Sequence, residues 1–141
     1  MLDMLEDIKA YLEGAGIGAS VYASQLPDPE PGVVDEVAVG LLDYSGLGPV
    51  WVQPQNTLDM RKPRYGQPRV QVNARGARED YLSGETLSNT AYLLISQIVN
   101  TPLLSGRFYQ SVSPLQEPFL QRWDQNRRPI FTFNAQVFLT N

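Results

Sequence analysis

Residues 129–140, PIFTFNAQVFLT, set how the rest of this chain is read. Phe131, Phe133, Ala135, Val137 and Leu139 fall on one face and Thr132, Asn134, Gln136 and Thr140 on the other, the period-two pattern of a half-buried β-strand. Fully extended, the stretch reaches roughly 40 Å at about 3.3 Å per residue, more than a small domain usually asks of one strand. Upstream, RVQVNAR (69–75) repeats the alternation, with Val70, Val72 and Ala74 against Arg69, Gln71, Asn73 and Arg75. DEVAVGLLDY (35–44) reads as a mostly buried strand closed by the turn SGLGP. ASVYAS (19–24) and GRFYQSVS (106–113) read as shorter strands, and PLQEPFLQRWDQNRR (114–128) as a structured loop.

Two segments carry helical spacing instead. Leu2, Leu5, Ile8 and Leu12 share one side of an amphipathic helix ending near Gly14. The following GAGIGA lies after a helix and before a strand, the reverse of a dinucleotide fingerprint, so its glycines read as a helix C-cap and turn. The second helix is expected over 83–100, with Ser83 as N-cap, Glu85 in the first turn and Pro102 at the far end. Leu87, Ala91, Leu94, Ile95, Ile98 and Val99 form its apolar stripe. Without regular βα alternation, the order of elements predicts an α+β fold: a single mostly antiparallel β-sheet with two main helices packed on one face. The 141 residues fit one domain, with no internal repeat or low-complexity segment.

Composition removes much familiar chemistry. There is no cysteine and no histidine, hence no disulfide, no thiolate and no imidazole base or metal ligand. The pairs Glu6–Asp7, Asp35–Glu36 and Glu79–Asp80 are adjacent in sequence and point apart, so they read as solvated surface charge rather than a catalytic pair. No phosphate loop, nucleophile elbow, EF-hand or zinc spacing is present, and no cofactor or metal is expected. The acidic, charge-interrupted start lacks the form of a signal peptide, and no apolar run reaches the ~20 residues of a membrane span, which predicts a soluble cytoplasmic protein.

Net charge is −4, unevenly spread. Residues 1–43 carry nine acidic groups and only Lys9 (−8); the remainder carries ten basic and six acidic groups (+4). Either distant segments neutralise each other within the fold, or the subunit is polar and stackable. No concentrated basic face of the nucleic-acid-binding kind is evident. Residues 50–68 form a long connection, a loop or hairpin, that gathers Trp51, Met60, Arg61, Lys62, Arg64 and Tyr65, types enriched at interface hot spots. The same loop is equally compatible with folding back onto its own domain. The turn RWDQNRR offers Arg122, Asp124, Arg127 and Arg128 either for charge-assisted contacts with a partner or for ordinary internal salt bridges.

The combination of MLEDIKAYLEGAG, LPDPEPG before an apolar strand, PRVQVNARG leading by a charged Asp–Tyr step into a long helix, and PFLQRWDQNRRPIFTFNAQVF resembles the tail terminator or minor capsid protein family of long-tailed bacteriophages. The resemblance spans nearly the whole chain and rests on the order of the motifs. It places Arg78, Asp80 and Tyr81 at the family's Arg, Asp and Tyr, and Asp124–Arg128 at its glycine-bearing turn, with Arg127 where glycine is common. It implies a non-enzymatic structural subunit, part of the virion tail at the head–tail junction and of the host cytoplasm during assembly. It also implies a homo-hexameric ring that caps the tail tube, ends its polymerisation and faces the head connector or stopper protein, while DNA passes through without specific binding. On that view the long final strand serves the core and offers an outer face or edge to a neighbouring subunit, which a disordered tail would obstruct. Other neck proteins (head completion or adaptor), a monomeric module binding a peptide or carbohydrate, and a carboxylate enzyme are the rival readings.

Overall fold

The structure, a computed structural model, describes residues 2–27, 36–44 and 68–140. Its elements run α1 (Leu2–Gly14), β1 (Ser20–Tyr22), β2 (Ala38–Asp43), β3 (Arg69–Arg75), α2 (Tyr81–Ser96), β4 (Val99–Pro102), β5 (Phe108–Pro114), β6 (Phe119–Trp123) and β7 (Pro129–Thr140). The strands make one seven-stranded sheet in the order β1-β2-β3-β7-β5-β4, with β6 also paired to β7. Among the described strands only β1–β2 is parallel, so the expected mostly antiparallel α+β sheet is what forms.

The length of β7 is used inside the chain. Along one edge β3 pairs from Arg69↔Gln136 to Arg75↔Ile130. Along the other edge two shorter strands lie end to end: β6 over Pro129–Thr132 and β5 over Ala135–Thr140. Between them the Leu115 amide donates to the Asn134 carbonyl at 2.8 Å, and Gln116 Oε1 accepts from the Asn134 amide at 3.0 Å. β7 is therefore interior, and the expectation that it lends an edge to a neighbour is corrected. Among the described strands, β1, β4 and β6 each have one edge without a strand partner.

Inner side chains alternate as the sequence predicts. Val39 and Leu41, Val70, Val72 and Ala74, and Phe133, Ala135 and Val137 are buried beneath α1, which contributes Met4, Leu5, Ile8 and Leu12, and α2, which contributes Leu87, Ala91 and Ile95. Tyr92 stands edge-on to Phe133, with ring centres 5.5 Å apart. α1 ends at its glycines: Gly16 has φ +74°, and the Ile17 amide bonds back to the Leu12 carbonyl at 3.3 Å.

The second helix differs from expectation at both ends. Asp80, not Ser83, is the N-cap, its carboxylate accepting from the Ser83 amide at 3.1 Å. Ser83 instead donates to the Asp80 carbonyl and accepts from the Ala77 amide. The helix stops at Ser96, Gln97 caps it, and Asn100 at φ +50° lies within the strand β4. Ile98 keeps its place in the core across this break, whereas Val99 is exposed. Phe119–Trp123, read as loop, is β6.

The Glu6–Asp7 pair is divided by the fold. Glu6 is exposed, but Asp7 is buried in α1 and accepts hydrogen bonds from the Ser105 amide (2.7 Å), the Ser105 hydroxyl (2.6 Å) and the buried Tyr109 hydroxyl (2.6 Å). The surface reading of Asp7 is thus overturned: its carboxylate ties α1 to the β4–β5 turn.

Candidate interaction face

The sheet surface away from the helices is polar. Register places Gln71 beside Asn134, Asn73 beside Thr132, and Arg75 beside Ile130. After β1 the chain crosses over this surface at Gly40, where a Cβ would meet Leu26 Cγ at 2.9 Å and the Ser24 carbonyl oxygen at 3.0 Å. Only glycine lets the crossing segment lie so close. Arg75 fastens it: Nη1 donates to the Pro27 carbonyl at 3.0 Å, and Nη2 lies 3.9 Å from Glu36 Oε1, while Glu36 Oε2 accepts from Ser20 Oγ at 2.8 Å. Arg75 is 3 % exposed. Burial, with the nearby charge of Arg128, lowers its pKa from the ordinary value, against the opposing pull of Asp124 and Glu36.

The opposite wall is β6. Its register shifts between Leu120 and Arg122, so Gln121 is an extra residue, and both Gln121 and Arg122 line the space between the walls. A groove of about 490 Å3 results, floored by Gln71, Asn73, Arg75, Leu42 and Ile130.

The β6–β7 turn closes one end of the groove. Asp124 Oδ1 accepts from the Asn126 and Arg128 amides, and its Oδ2 from Arg128 Nε, each at 2.9 Å. Burial raises the Asp124 pKa, but these bonds to Arg128 and Asn126 outweigh it and the net direction is down. The Asp124 amide donates to the Arg128 carbonyl and the Arg127 amide to the Asp124 carbonyl. Arg127 takes φ +60°, completing a three-residue hairpin loop at the position glycine usually fills.

That strained residue meets a second one. Glu79, at φ +57°, donates its amide to the Arg127 carbonyl at 2.7 Å, and the two side chains form an exposed ion pair. The loop 76–80 and the hairpin are thereby joined, and the Gly76 amide adds a bond to the Pro129 carbonyl. Beside the junction Tyr81 packs edge-on against buried Phe131 (5.1 Å between ring centres) and lies 6.4 Å from Trp123. Tyr81, Leu82 and Trp123 remain exposed there.

Of the residues singled out from sequence, Trp51, Met60, Arg61, Lys62, Arg64 and Tyr65 lie outside the described residues. Arg122 and Asp124 line the groove and Arg127 is exposed at the turn. Arg128 is fully buried, so its guanidinium serves Asp124 inside the chain rather than an external partner, a correction to its reading as a contact residue. Gln121 and the role of Arg75 were missed. The alternation in RVQVNAR had already put Arg75 with Gln71 and Asn73 on one face; the crossing segment above them carries no sequence signal beyond Gly40.

Among the described residues no group of acidic side chains is placed to hold a metal, and no helix is long and apolar enough to cross a membrane. Fold and face together define an α+β protein whose outer surface carries amide, guanidinium and aromatic groups. The family described as "Bacteriophage tail terminator protein" matches residues 11–141, and this chain belongs to it. It is a structural component of a phage tail. Among solved structures, the chain is similar in fold to one in "Virion of native gene transfer agent (GTA) particle", with a TM-score of 0.57 and 12 % identity over 97 % of this chain and 94 % of that one. Among curated proteins no sequence matches.

Proposed function

We propose that this protein assembles into a six-subunit ring on the end of the tail tube, stops tube polymerisation and presents the tail-side surface to the head connector. The observation that carries this reading is the family match over residues 11–141, joined to a fold similar to that of a chain in a gene transfer agent particle. A ring closes strand edges against neighbouring copies, which gives β1, β4 and β6 a use that isolated subunits lack. The segment 50–68, with Trp51, Met60, Arg61, Lys62, Arg64 and Tyr65, is assigned to the tube or the channel lining. A net charge of −4 suits passage of DNA without retention.

The test is to locate the protein in assembled particles. A tagged copy imaged by electron microscopy is expected at the head-proximal end of the tube in a sixfold arrangement. A tag found along the tube, at its distal tip or on the head shell would refute the assignment.

A further inference from the structure

We propose that the groove on the outer sheet face is a binding site for an extended acidic segment of a protein partner, a role that does not depend on ring formation or capping. Three observations lead there.

The groove is built rather than incidental. One wall is held by Arg75, which lies beneath it with 3 % exposure, and by the close approach at Gly40; the other turns two successive side chains, Gln121 and Arg122, to the same side through a bulge. At about 490 Å3 it is far larger than a single ion needs.

Among the described residues its charge is under-compensated by one. Arg75 and Arg122 line it; Arg75 is engaged by Glu36 and the Pro27 carbonyl, and the one acidic lining residue, Asp124, already receives Arg128 and two backbone amides, which leaves the charge of Arg122 over. Arg122 is exposed and has no ion pair among the described residues. A carboxylate completes this arrangement.

The remaining polar lining consists largely of side-chain amides, Gln71, Asn73, Gln121 and Gln125 among them. Asn73 Nδ2 donates to Gln71 Oε1 at 3.3 Å, and the amide groups beyond that bond supply both donors and acceptors, which matches the alternating N–H and C=O of an extended polypeptide rather than the acceptor-only row of a phosphate backbone. A nucleic acid strand would call for a line of cations, and this groove has two.

The full chain is titrated, at low salt, with a fluorescent peptide alternating Glu and Ala, with the same peptide carrying Gln for Glu, with free glutamate and with oligothymidylate. The Glu peptide is expected to bind, and Arg122→Gln, an exposed position, to weaken it about tenfold, as loss of one charge-assisted hydrogen bond predicts. Gln121→Ala is expected to weaken both peptides, because it removes amide rather than charge recognition. Four results overturn the proposal: no binding of the Glu peptide; binding unchanged by both variants; free glutamate competing as well as the peptide, which leaves a carboxylate pocket only; or oligothymidylate displacing the peptide at lower concentration, which makes the groove a phosphate site.

Discussion

Replacing Asp7 with Ala tests the least expected contact in the fold. Its carboxylate receives three hydrogen bonds, two from Ser105 and one from Tyr109. Bonds to a charged group contribute about 1.5–3 kcal/mol each, but Ser105 is exposed and water takes over much of what it loses. Tyr109 is sealed from solvent, and taking the carboxylate from its hydroxyl costs about 1–3 kcal/mol. Ala improves helix propensity by up to about 0.7 kcal/mol, a partial offset. The net expectation is a loss of about 3 kcal/mol, which for a domain of this size lowers Tm by roughly 10 °C. Urea and thermal unfolding measure it. Tyr109→Phe supplies the second leg of a double-mutant cycle, and the double variant is expected to lose about 1–2 kcal/mol less than the two single losses together. A loss under about 1 kcal/mol for Asp7→Ala, or strict additivity in the cycle, would refute the claim that this contact pins α1 to the β4–β5 turn.

Three further outcomes follow from the outer face and its turn. Gly40→Val drives a side chain into Leu26 and the Ser24 carbonyl, so it is expected to cost about 1–3 kcal/mol in urea unfolding and to displace the 24–27 wall; no loss would mean that the crossing segment is not packed there. Arg127→Gly relieves a left-handed backbone worth about 1–2 kcal/mol but gives up chain stiffness worth about 0.5–1 and an exposed ion pair worth about 0.2–1. Its stability is therefore expected within about 0.5 kcal/mol of the parent, whereas Arg127→Val, which keeps the strain and adds a β-branch, is clearly destabilising. Because the folded pKa of Asp124 lies below its unfolded one, its contribution is present above pH of about 4 and is lost as pH falls through the folded pKa. Asp124→Asn is expected to flatten the stability–pH curve below about pH 4, and an unchanged acid limb would show that this carboxylate is not linked to folding.

The parts of the fold that were legible in sequence are those where local pattern and tertiary burial agree. The alternations in β3 and β7 and the spacing of Leu5, Ile8 and Leu12 each describe a face that is in fact buried. The misreadings come from places where two patterns coincide. Leu94, Ile95, Ile98 and Val99 keep helical spacing across a helix end: α2 stops at Ser96 with Gln97 as its cap, and Val99 already belongs to β4. β6 is short, flanked by Pro114 and Pro118 and bulged at Gln121, so its alternation is broken. Asp7 stands three residues after buried Met4, which its position showed and its charge concealed. The candidate site was half legible. Sequence placed Arg75, Gln71 and Asn73 on one polar face, but the groove depends on segments brought in from β1 and β6, and Arg128 turns inward because Asp124 claims it four residues earlier in the chain.

The most direct test of tail termination is the length distribution of tails, by electron microscopy, in particles made without this protein. The account predicts overlong, variable tails without heads. Tails of normal length beside unjoined or leaking heads would contradict it and move the protein to the head side of the junction.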